Sequence, residues 1–96
     1  MINLDECKTV KRVLLWAEQE WPGFWAFANQ KDMTMTEILE LHAALNENGG
    51  RAKQFFAKLQ EVGRKDKSEE ARNLLMKGAG SVIRLHNQVE AHRARS

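Results

Sequence analysis

The stretch Trp16–Phe27, WAEQEWPGFWAF, holds all three tryptophans and two of the four phenylalanines of a chain that has no tyrosine. Each large ring contributes roughly 4 to 6 kcal/mol when wholly removed from water, from about 150 to 250 Å² at about 25 cal/mol per Å². A segment of that weight forms the centre of the core, a docking surface, or both. Any fold open to this chain has to be arranged around it.

With 96 residues there is room for one compact core, so residues 1–96 are read as a single helical domain. Apolar residues make up 43% and charged residues 29% of the sequence, which is ordinary globular usage and gives no case for wholesale disorder. Acidic Asp5 and Glu6 stand where a secretory signal needs a basic and then an apolar region. No apolar run approaches the length of a membrane span, and the expected location is the cytoplasm, with no membrane partner.

Apolar periodicity predicts helices throughout. Residues 4–20 carry the stripe Cys7, Val10, Val13, Leu14 and Ala17, with Leu4 and Leu15 on one shoulder and Trp16 on the other, as befits a central helix. Pro22 and Gly23 end it near Glu20, and a short second helix is expected over 23–30. Thr34 and Glu37 form a capping-box pattern ahead of Met35, Ile38, Leu41, His42 and Leu45, and Asn48, Gly49 and Gly50 stop that helix. Residues 51–63 bury Ala52, Phe55, Phe56, Leu59 and Val62, with Gly63 at the end and a cap at Asp66 or Ser68 to follow.

The last segment repeats Ala71, Leu75, Gly78, Val82, Leu85, Val89 and His92 at spacings of four and three, a heptad seam over about three repeats. Its unbroken phase favours one helix running through Gly78–Gly80, the alternative being a break after Lys77; a basic tail over 93–96 should fray. No alternating strand pattern occurs. The predicted fold class is all-α, a small bundle of four to five helices with a long C-terminal helix.

Catalytic signatures are missing. His42, His86 and His92 include no pair at i,i+3 or i,i+4, so no metal is expected, and no cofactor motif is present. Ser81 in GAGSVIR lacks the second glycine of a nucleophile elbow, and KGAGS lacks the spacing of a phosphate loop, so its glycines read as helix-packing positions. The paired carboxylates Asp5/Glu6 and Glu69/Glu70 sit at helix starts, where acids favour the dipole. Cys7, the single cysteine, reads as a small buried hydrophobe.

Charge is unevenly spread. Residues 1–50 hold four basic and eight acidic side chains, whereas residues 51–96 hold eleven basic and five acidic. The second half therefore supplies candidate phosphate contacts in Arg51, Lys53, Lys58, Arg64, Lys65 and Lys67, although residues 36–72 do not meet the offsets of a helix-turn-helix. Phe24, Phe27 and Ala28 share one face of the short helix, which turns Trp21 and Trp25 elsewhere, towards the surface.

These features predict a small non-enzymatic regulatory or inhibitory protein that binds a protein partner through Trp21 and Trp25. Self-association as a homodimer would use Leu75, Val82, Leu85 and Val89. The alternative is a nucleic-acid-binding regulator that uses the basic half.

Overall fold

In the computed structural model, which describes residues 1–30, 32–47 and 49–95, the chain enters its first α-helix later than the apolar stripe predicts. Two caps cause the delay. Asn3 Oδ1 accepts from Asp5 N at 3.0 Å and closes a single 3-10 turn, Leu4–Glu6; Cys7 is then extended, and Thr9 Oγ1 accepts from Arg12 N at 3.2 Å to open α1, Val10–Glu20. Helix α1 is central as expected: Val10, Val13, Leu14 and Ala17 are wholly enclosed. Trp16, placed on a shoulder by spacing, is only 3% exposed and stacks on Phe55 at 5.9 Å between centroids.

The remaining helices are α2 (Phe24–Gln30), α3 (Met35–Glu47), α4 (Ala52–Lys65), α5 (Glu69–Met76) and α6 (Gly78–Arg95). No strand occurs among the described residues, and the molecule is an all-α bundle with a long C-terminal helix. None of these helices is long and apolar enough to cross a membrane. The capping box closes α3 reciprocally, Thr34 N donating to Glu37 Oε1 at 3.0 Å and Glu37 N to Thr34 Oγ1 at 3.2 Å. After α3 the chain turns through Gly49 and Gly50, both at positive φ (90° and 68°); Asn48, also expected to stop this helix, and Ser96 of the expected tail lie outside the described residues.

Helix α4 runs through Gly63 rather than ending there. One interior glycine costs a helix only about 1 kcal/mol, and the face around Gly63 is packed, with the Leu75 side chain within van der Waals reach of where a Cβ would stand. The helix stops at Asp66, whose Oδ2 accepts from Val10 N at 2.9 Å, 56 residues away in the chain. Ser68 then caps α5 through Ala71 N at 3.2 Å.

The seam breaks at Lys77, whereas its heptad phase predicts one continuous helix. Sterics give the reason: a Cβ at Gly78 would fall inside the backbone of Phe27 and Ala28, and one at Gly80 inside the carbonyl of Leu75. The two glycines let α6 cross α2 and fold back on α5 with backbones nearly touching, a packing role as expected. Ser81, buried in the first turn of α6, donates to Gly78 O at 3.0 Å and accepts from Met33 N at 2.9 Å, which fixes the chain just ahead of α3.

The core gathers around Phe55. Phe24 meets it edge-on at 5.8 Å and 86°, Phe56 at 4.9 Å and 61°, and Leu14 and Leu59 are wholly buried as the periodicity predicts.

Candidate functional site

Two surfaces bring chemistry-bearing side chains together. The first is the edge formed by the α1–α2 turn. Phe24 and Ala28 enter the core, which leaves Trp21, Trp25 and Phe27 half-buried against it. Trp21 stacks on Phe27 at 5.6 Å and 6° and tilts against Phe24 at 5.8 Å and 49°. Glu18 fixes the turn beneath them: its Oε1 accepts from Gly23 N at 3.0 Å and its Oε2 from Trp25 N at 2.6 Å. The turn thus begins with a bound carboxylate where α2 has free N–H groups, and the rings above it have little freedom.

The second is a cleft of about 670 Å³ between α3, α4 and α6. Its floor holds a pair that spacing did not reveal. His42 from α3 and His86 from α6 bring Nε2 and Nδ1 to 3.3 Å, and both rings stack on Phe56, at 4.6 and 4.0 Å between centroids. Both imidazoles are held below their ordinary 6.5. Burial is the first cause for each; for His42 the charge of His86 and then Arg93 adds to it, while Glu90 opposes, and for His86 Glu90 opposes more than Arg93 adds.

A stability profile follows from that direction. The unfolded chain takes up protons at higher pH than the folded pair, so the contribution is complete above about 6.5 and is lost as pH falls through the depressed values. Thermal denaturation between about pH 7.5 and 5 is expected to show a falling Tm. Asp66 and Glu61 titrate lower still, because backbone and side-chain hydrogen bonds, to Val10 and Lys65 respectively, favour their ionised forms. His42→Phe keeps the ring on Phe56 and should flatten the profile; an unchanged slope would move the effect elsewhere.

The six basic residues of α4 and its exit do not form one surface. Arg51 is half-buried with its guanidinium 5.4 Å from the Trp16 ring centroid, Lys58 donates to Asp5 O at 3.3 Å, and Lys65 pairs with Glu61 at 3.2 Å. These three recur at intervals of seven, on one side of α4. Lys53 and Arg64 line the cleft on the other side, and Lys67 is exposed beyond the helix. Of the expected association seam, Val82, Leu85 and Val89 are buried in the chain's own bundle, and only Leu75 is half-exposed, in a shallow groove with Gly63 and Ile83.

Cys7 is buried, its thiol pushed up by that burial against the opposing pull of Arg12 and Lys58. No group of three or more histidine, cysteine or acidic residues among the described residues is arranged to hold a metal ion. No family model, no curated protein and no solved structure matches this chain, so its functional reading rests on these two surfaces.

Proposed function

We propose that this is a non-enzymatic regulatory or inhibitory protein that binds another protein through the edge of Trp21, Trp25 and Phe27. The observation that supports this most is the pre-set turn, in which both Glu18 oxygens hold the backbone while Trp21 lies flat on Phe27. Tryptophan is the residue most enriched among interface anchors, and rings already fixed in place lose little entropy when a partner covers them. The nucleic-acid alternative has less support, because its six cations are spread over two sides of α4 and past its end, and several already have partners. Self-association along α6 has less support too, since three of its four residues face inward.

The test compares Trp25→Ala with Lys53→Ala in nuclease-treated extracts, alongside thermal denaturation. Trp25→Ala is expected to weaken capture of a specific protein by about 2 kcal/mol, roughly thirtyfold, with the fold largely intact, whereas Lys53→Ala leaves it unchanged. If Trp25→Ala unfolds the chain while its residual folded fraction binds normally, the edge is architecture and the reading fails.

A further inference from the structure

The cleft between α3, α4 and α6 is separate from the aromatic edge; none of Trp21, Trp25 and Phe27 lines it. Its volume, about 670 Å³, lies within the range of small-molecule sites. Its charge is divided along its length. Helices α4 and α6 run antiparallel, as Gln60 Nε2 donating to Asn87 Oδ1 at 3.2 Å and the groove shared by Arg64 and Ile83 establish. In that register Lys53 comes opposite Arg93 at one end of the cleft, and both line it, as does Asn46 of α3. Arg64 lies eleven residues further along α4, about 16 Å away at 1.5 Å per residue.

Between these cationic ends the floor is aromatic. Phe56 is buried under two imidazoles, and His86, half-buried, is the ring nearer solvent. The histidines are held neutral by burial, so positive charge is confined to the ends. Among the described lining residues the one acid is Glu90, and it shares its charge with Arg93 at 3.4 Å. Lys53 and Arg64 make no hydrogen bond or ion pair among the described residues. An uncharged ring platform beside a lysine and an arginine is complementary to a ligand that carries a flat ring at one end and a compact anion at the other. A bare anion would leave the platform unused, and a divalent cation would meet three positive side chains against one acid.

We propose that this cleft binds a phosphate monoester carried on a planar ring, of mononucleotide size, with the phosphate between Lys53 and Arg93 and the ring against His86. Arginine and lysine supply charge-assisted hydrogen bonds to the phosphate oxygens, and Asn46 adds an amide at the same end. Ring stacking adds an increment that inorganic phosphate lacks.

The experiment is an NMR titration of the whole chain with adenosine 5′-monophosphate, inorganic phosphate and adenosine, read at the ring signals of His42 and His86. The nucleotide is expected to bind with a Kd of about 1 mM or tighter, at least about tenfold tighter than either inorganic phosphate or adenosine. Lys53→Ala and Arg93→Ala, both on exposed residues, should each weaken it about tenfold, while Lys67→Ala, outside the cleft, changes it by less than about twofold. The proposal is overturned if the histidine signals do not move, if inorganic phosphate binds as tightly as the nucleotide, or if Lys67→Ala weakens binding as much as Lys53→Ala.

Discussion

Gly78→Ala is expected to destabilise the protein by about 3 kcal/mol or more, at the upper end of what one added methyl group does in a packed interior. The methyl has no space, because it would stand 1.6 Å from the carbonyl oxygen of Phe27 and its nearest neighbours are backbone atoms of α2, which no rotamer change can move aside. Either α2 shifts, carrying Phe24 out of its contact with Phe55, or α6 does, pulling Ser81 from Met33 N. For a domain of this size the melting temperature should fall by about 12 to 24 °C. Gly63→Ala is the matched control. There a new Cβ meets Leu75 Cδ2 at 3.6 Å, an ordinary contact, and the expected change is a gain of about 0.4 to 1 kcal/mol. Equal melting temperatures for the two variants would rule out the close crossing of α2 and α6.

Phe55→Ala should be as damaging, at about 3 to 5 kcal/mol. The ring is wholly buried and joins three others: Trp16 of α1, Phe24 of α2 and Phe56 beside it on α4. Removing it leaves a void bordered by rigid rings that cannot collapse inward, the circumstance in which truncation is most costly. Against a total of about 5 to 14 kcal/mol for 96 residues, this is a large fraction. Urea denaturation should show a lower midpoint at unchanged slope, with Leu59→Ala giving a loss of about 2 to 5 kcal/mol at the neighbouring position. An unchanged midpoint for Phe55→Ala would mean that α4 turns a different face to the core.

Both effects depend on contacts that differ in how far they can be read from sequence. The burial of Phe55, Leu59 and Leu14 follows from helical periodicity, a local property, and so does the Thr34–Glu37 cap, because its partners are three residues apart. The Lys77 break does not follow from the heptad phase, which continues through it. The signal is the pair of glycines, of which Gly80 answers to Leu75 nearby but Gly78 to Phe27, 51 positions earlier. His42 was legible as a residue on the apolar side of its helix. That it meets His86, 44 residues on, is a product of how α3 and α6 are arranged, and no spacing rule reaches that far. The basic half shows the opposite failure: eleven cations are conspicuous in sequence, yet helix geometry distributes those of α4 over opposite sides. The aromatic segment falls between these cases. The division of Phe24 from Trp25 was readable from one short helix, whereas the stacking of Phe27 on Trp21 required the Glu18-bound turn.

The bond from Val10 N to Asp66 has a bearing on how the chain acquires its shape while it is being made. Helix α1 is synthesised first, but its opening N–H finds its acceptor only at the far end of α4, and the face around Trp16 is completed by Phe55. Until roughly two thirds of the chain has been made, α1 can pack only on the preceding turn and on α2, and an eleven-residue helix with so little support is marginal in water. Completion of the α1 face therefore lags well behind its synthesis. Trp21 can find Phe24 and Phe27 as soon as the segment is made, but the face of Trp16 stays open until Phe55 arrives with α4.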